Sequence, residues 1–464
     1  MNLKFQELQV DPDKPFEKDL LNRKMEVENL TSLVSNVNTP AVLAINSSWG
    51  TGKTTFIKMW EGFLKQNDFD SLYFNAWTTD FSDDPLVAFL GEMNSGLEDL
   101  IGGSKESKKA WRTTKKIGAN LVRRGIPALI RMGTAGVIDV SDVAKEELSR
   151  FIDGMTENAL ENYFKQKDIV SQFRNSLSQF IKVSDSKKPV VFFIDELDRC
   201  RPTYAISLLE RIKHLFNIEG LVFVLSLDKT QLGHSLGAVY GGGIDSVSYL
   251  RRFIDFEYRL RQPEIKDYIK SLFGALALDE FFKAREIYPD FRGDKEMLEK
   301  VFLMLAKAHQ LSLREIEQLI ASINLALRTA KEKEFIHPEL LTFLVLIKNM
   351  NLEMYKRYIS PTNSGKELTD YLREILQEPI RNGDRYCSVL EASIIIAKMD
   401  RGENLNEIVA HHKSILADGN VDSEIKKHSE YIMHYIDKSM QGYRGIDLAQ
   451  LAERVDMLSQ FQFK

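Results

Sequence analysis

Residues 41–65 read AVLAINSSWGTGKTTFIKMWEGFLK, and this stretch decides the architecture. AVLAIN (41–46) is a short, continuous apolar run, the pattern of a strand buried on both faces. KTTFIKMWEGFLK (53–65) has helical spacing. Between them, SSWGTGKT (47–54) supplies what a phosphate chain needs: glycines that let backbone N–H groups converge, followed by a helix N-terminus. Gly50 and Gly52 would carry the tight turn, with Ser48, Trp49, Thr51 and Thr55 completing the cradle. Lys53 would reach the β- and γ-phosphates, and the Thr54 hydroxyl would ligate Mg²⁺. Ser47 stands where such loops usually have their first glycine, a residue chosen for positive φ.

Further apolar runs follow at 71–75 (SLYFN), 189–195 (PVVFFID), 221–226 (LVFVLS) and 253–260 (FIDFEYRL). Helical patterns such as AISLLERIKHLF separate them, and the alternation predicts a parallel sheet wrapped by helices. VVFFIDELDR (190–199) is an apolar strand ending in acids, the form that holds the metal and activates water. Asp195 would bind Mg²⁺ through water, and Glu196 would act as general base. Ser226 or Asp228, at the end of LVFVLSLD, would sense the γ-phosphate if that strand neighbours the first. Arg251 and Arg252 are candidates for neutralising transition-state charge, in cis or from a neighbouring subunit, and Arg314 is a weaker one.

The rest of the chain sets bounds. Its 464 residues exceed one ordinary core, and 44% hydrophobic with 28% charged residues describes a globular protein. The formal charge of −5 gives no overall attraction to nucleic acid, and two cysteines exclude a disulfide framework and suit a reducing cytoplasm. No apolar run reaches the ~18–20 residues of a membrane span. The expected division is a nucleotide domain over 1–262, with a basic insertion at about 100–150, and a helical domain over 263–464, with a possible subdivision near 360–365. Segment 104–132 carries a net +8, leaving −13 for the remainder. It could bind nucleic acid or an anionic membrane surface, although a solvated arm packed on its own domain is the favoured reading and Trp111 is its one stacking group. Pro127 and Gly118, Gly125, Gly133 and Gly136 argue against one long helix there. Cys200, between Arg199 and Arg201, could have a lowered pKa, although packing is the simpler reading. His411, His412, His428 and His434 lack zinc-site spacing.

With these residues laid out, the chain resembles the KAP family of P-loop NTPases. WGTGK (49–53), FNAW (74–77), IDELDRCRP (194–202) and YLRRFIDFEYRLRQP (249–263) follow in the family's order, and LSLREIEQL extends a weaker match. Glu196 replaces the family's usual second aspartate. The resemblance implies an additional-strand ATPase fold with strand order 5-1-4-3-2, followed by an all-helical domain. It implies ATP and Mg²⁺ as ligands and places Arg252 on the family's basic position. It also implies an antiphage or related defence role beside a partner protein, with segment 104–150 where relatives often insert transmembrane helices. The alternatives are a slow-turnover switch or scaffold with its effector in a partner, and a DNA-stimulated motor.

Overall fold

The computed structural model describes residues 9–82, 84–100, 105–124, 157–183, 188–261, 264–361, 365–399, 406–441 and 445–460. Two compact units divide at the Gln262–Pro263 peptide. The first is built on β1 (Ala41–Asn46), β2 (Ser71–Asn75), β3 (Val190–Asp195), β4 (Leu221–Leu227) and β5 (Phe256–Arg259). They form a parallel sheet in the order β2-β3-β4-β1-β5, which read from the other edge is 5-1-4-3-2.

Alternation along each strand sends side chains to two different cores. Leu43, Ile45, Val191, Phe193, Val222 and Val224 pack against α1 (Lys24–Ser35) and α2 (Lys53–Gln66) through Val27, Leu30, Phe56 and Trp60. The fully buried Trp60 donates its indole N–H to Thr31 Oγ1 at 3.0 Å and meets Phe193 edge-on at 5.3 Å. On the opposite face, Ala44, Phe74, Phe192, Ile194 and Phe223 pack against α3 (Pro85–Leu100) and α6 (Pro202–Leu215) through Phe89, Ile206 and Leu209. A sheet covered on both sides explains why the strands read as unbroken apolar runs.

The fifth strand is shorter than the expected 253–260. Phe253 and Ile254 turn into the core instead of extending the strand, and Asp255 starts the pairing with β1. β5 is one edge of the sheet, with β2 the other, and Phe256 on β5 is exposed.

Between β2 and β3 the chain forms α4 (Lys105–Arg124) and α5 (Glu157–Val183), which pack along each other. Trp111 is buried against Phe180, and Thr114 bonds Ser176 at 2.7 Å. Lys108, Lys109, Arg112 and Lys116 are exposed on the outer face. Trp111 is therefore no stacking platform for a nucleic-acid base. Residues 125–156, including Pro127, Gly125, Gly133 and Gly136, lie outside the described residues, as do 1–8 and 362–364.

The second unit is helical throughout its described residues. Its core is α13 (Pro338–Met350), whose Leu340–Ile347 stretch is fully enclosed. α12 (Leu313–Leu327) is fixed at its start by a reciprocal capping box between Ser312 and Glu315. His412 and His428 serve a buried carboxylate. His428 Nε2 pairs with Glu391 Oε2 at 2.9 Å, His412 Nε2 lies 3.4 Å from Glu391 Oε1, and Arg373 Nε donates to the same oxygen at 2.8 Å. His411 packs on the ring of His412, and His434 on that of Tyr435.

Candidate functional site

The site forms where β1, β2, β3 and β4 end together. After Asn46 the chain leaves the sheet, held by a hydrogen bond from Ser47 N to Leu227 O at 3.2 Å. Gly50 (φ 75°) and Gly52 (φ 85°) are left-handed, so a side chain at either would be strained. Ser47 is not among the positive-φ residues, which explains why serine fits where glycine is usual. α2 begins at Lys53 with no side-chain cap, so its first N–H groups are left to a ligand. Lys53 folds back over the loop, with Nζ donating to Ser47 O at 2.6 Å and Ser48 O at 3.0 Å. Burial pulls its ammonium below the usual lysine value, while Asp198, Asp228 and Asp195 oppose that shift. Thr54 and Thr55 occupy the first turn of α2, half-buried. Thr51 bonds Ser48 O at 2.9 Å, and the Trp49 ring is 48% exposed.

Across from the loop, Asp195 ends β3 and is 1% exposed. Tyr73 donates its hydroxyl to Asp195 Oδ2 at 3.1 Å, and burial together with that carboxylate pushes the phenol well up. Glu196 follows with a left-handed backbone (φ 59°), an uncommon conformation for a residue with a side chain. Both of its carboxylate oxygens are engaged. Asn75 Nδ2 donates to Oε2 at 2.8 Å, and Arg199 Nη1 pairs with Oε1 at 2.7 Å. The Arg199 guanidinium lies over the Trp77 ring at 5.4 Å. Cys200 Sγ lies 3.6 Å from Glu196 O as a donor, and burial pushes its thiol up. The arginines beside it do not outweigh that burial, in keeping with the packing reading of Cys200.

Ser226 sits between Ile45 and Asp195 in the sheet register. Its hydroxyl is buried and has no hydrogen-bond partner among the described residues. Asp228 caps α7 (Lys229–Tyr240), accepting from Thr230 N at 3.0 Å and Gln231 N at 3.3 Å. A buried carboxylate, an orphaned hydroxyl and the Thr54 hydroxyl together make a hard-oxygen set that fits a cation such as Mg²⁺. The glycine turn, uncapped helix start and lysine fit a phosphate chain.

Arg251 and Arg252 are not brought to this site within the chain. α7 runs from the end of β4 to α8 (Ser246–Leu250), and the arginines follow at once. Three residues after Arg252, Asp255 bonds Val42 at the beginning of β1, whereas the phosphate loop leaves its other end. Both arginines are exposed, with Arg252 stacked on Tyr249 at 5.6 Å. Arg314 lies in the first turn of α12, in the second unit. Three residues at the site escaped the sequence reading: Tyr73, Asp198 and Arg199. The DELDR run carried a signal for the last two, but nothing in SLYFN marks Tyr73 as facing Asp195.

Such a loop, after β1, facing acids at the end of β3 with β4 lying between the two strands, defines a P-loop NTPase domain. Residues 23–330 match the model of the KAP family P-loop domain, and the chain belongs to that family. It is 29% identical over 176 residues to an uncharacterized protein of Methanocaldococcus jannaschii, an alignment spanning 34% of this chain and 89% of that one. Among solved structures, it aligns with the Aeropyrum pernix ORC2 protein in its ADPNP–ADP complexes at 12% identity and TM-score 0.33, over 98% and 96% of the two chains. The Aeropyrum pernix ORC1 protein in complex with DNA aligns at 13% identity and TM-score 0.30, over 96% of this chain and 86% of that one.

Proposed function

We propose that the protein binds ATP with Mg²⁺ and hydrolyses it, using Glu196 as the base that takes a proton from the attacking water. The observation that carries this reading is the meeting of the phosphate loop with the acidic turn. Trp49 Nε1 donates to Asp198 Oδ2 at 2.5 Å, and the Asp195 and Asp198 charges act on Lys53. Lys53 would exchange Ser47 O and Ser48 O for phosphate oxygens, and the α2 N–H groups would bind the same chain. Thr54, Asp195 and Ser226 would hold the metal, which when bound neutralises phosphate charge. Asp228 would stay a helix cap near the γ-phosphate. Arg251 or Arg252 would reach a nucleotide only from a second copy of the chain.

Steady-state turnover of the wild type against Glu196→Gln, with nucleotide binding measured alongside, tests the assignment. A loss of roughly 100-fold or more in kcat with binding retained supports it. Equal inactivity of both proteins, with ATP still bound, sinks it.

The engagement of both Glu196 oxygens favours a second reading, a switch that binds ATP and turns it over slowly until a partner frees the carboxylate. The family resemblance supports setting such a switch in an antiphage or related defence system, with nucleotide state coupled to a partner or to domain rearrangement. Phage plating on cells carrying the gene and its neighbours, against the Lys53→Ala variant, reads that role; equal plating on both removes it.

The exposed stripe Lys108, Lys109, Arg112 and Lys116 is what a DNA-stimulated motor would use. That reading requires salt-sensitive DNA binding that weakens when Lys108, Lys109, Lys115 and Lys116 are neutralised. We favour the hydrolase without a DNA requirement, because the stripe's tryptophan is buried.

A further inference from the structure

The Trp49 indole stands half-exposed at the rim of the phosphate loop, where the hydrophobic effect gives little reason to hold it. Its specific attachment is a hydrogen bond that leaves the loop altogether. The indole N–H donates to Asp198 Oδ2 at 2.5 Å, across 149 residues of sequence. Asp198 is buried, so its carboxylate gains from a donor that water cannot readily replace.

Asp198 belongs to the one-turn helix Leu197–Arg199, which starts directly after Glu196. Inside that turn Arg199 N bonds Glu196 O at 3.1 Å, and the Arg199 side chain grips Glu196 Oε1. These two contacts tie the turn that carries Asp198 to Glu196, the route by which a displacement of Asp198 would reach the base. On the other side, Trp49 is one residue from Gly50 and four from Lys53, within the segment that must rearrange when Lys53 exchanges carbonyl partners for phosphate. Asp198 is also the carboxylate that acts most strongly on Lys53, after the opposing effect of burial.

We propose that Trp49 is a positioning residue that couples the phosphate loop to Glu196 through Asp198. Its indole N–H is committed to Asp198 and not to a ligand. Its N–H holds the DELDR turn in register with the loop, so that a filled loop and a correctly placed base occur together. The inference rests on the hydrolase reading only for its kinetic consequence, since the coupling itself is a property of the nucleotide-bound chain.

Trp49→Phe removes the N–H and keeps an aromatic ring, so the loop is left packed. Two measurements on the full chain decide the matter. In the first, amide hydrogen exchange over residues 196–200 is followed with and without ATP. The wild type is expected to change protection there on binding, and Trp49→Phe to lose that response at saturating nucleotide. A response of equal size in Trp49→Phe overturns the coupling, whether or not the protein hydrolyses ATP. The second is turnover. Trp49→Phe should lower kcat by at least about fivefold with KM for ATP within about twofold, and Asp198→Asn, which keeps an acceptor, should retain more kcat than Asp198→Ala. A loss that falls wholly in KM assigns Trp49 to the loop alone and sinks the proposal. A wild type without turnover but with Trp49-dependent exchange would leave the coupling standing and remove the hydrolase reading.

Discussion

Asn75 and Glu196 meet across the ends of β2 and β3, with the Asn75 amide donating to Glu196 Oε2 at 2.8 Å. The contact follows from register: Asn75 pairs with Asp195, and Ala76 N bonds Asp195 O at 3.0 Å. Asn75 holds the base that the proposed chemistry needs to be free. Asn75→Ala is therefore expected to raise the basal ATP turnover of the isolated protein by up to about tenfold, the equivalent of the ~1.5 kcal/mol of a hydrogen bond to a charged group. KM should stay near the wild-type value. A fall in kcat would show instead that Asn75 orients Glu196 for the reaction.

Lys53 tests the loop itself. Its ammonium lies against Ser47 O and Ser48 O, ready to exchange them for phosphate. Lys53→Ala should weaken ATP affinity by at least about tenfold in titration calorimetry, since a charge-assisted contact of ~1.5–3 kcal/mol is lost. The melting temperature without nucleotide should barely move, because a half-buried lysine holding two carbonyls contributes little to the fold.

In the helical unit, the buried Glu391 carboxylate is opposed by burial, yet His412, His428 and Arg373 outweigh that cost and hold it ionised. Its two histidines reach on to serines, His428 to Ser388 at 2.8 Å and His412 to Ser429 at 3.1 Å. Glu391→Ala leaves Arg373 without its counter-charge and the two buried imidazoles without their acceptor, and should cost about 3–5 kcal/mol, read as a lowered urea midpoint. Replacement by glutamine should cost less, because the amide still satisfies part of the network.

Acid should loosen the β5 edge of the sheet through Glu257. The hydrogen bond from Lys229 Nζ at 2.7 Å, with another from Asn46 Nδ2 at 2.8 Å, lowers this carboxyl against a smaller opposing effect of burial. A group with a depressed folded-state pKa stabilises above its unfolded value, about 4.3 for glutamate, and that contribution is lost as pH falls through the lower folded-state value. Lys229→Gln should accordingly lower the melting temperature by up to about 3 °C at pH 7, with the gap to wild type shrinking toward pH 3. A constant gap across that range would assign the effect to packing.

The parallel sheet and its phosphate loop were legible because they depend on local chemistry. Buried strands demand unbroken apolar runs, and a phosphate cradle demands Gly50 and Gly52 at left-handed positions just before a helix start. The pairing order of the strands came from the family resemblance, since side-chain periodicity alone does not set it. Tertiary structure decided the rest. Only the neighbouring of β2 and β3 brings Asn75 and Tyr73 to the acids, and only β4 lying between β3 and β1 brings Ser226 beside Asp195. Arg251 and Arg252 show the same principle in reverse: they are near β5 in sequence, but a parallel strand must be entered at the end opposite the phosphate loop. Likewise the bond from Trp49 to Asp198 has no trace in either motif read alone, because a hydrogen bond depends on atoms in space and each motif records only its own stretch of chain.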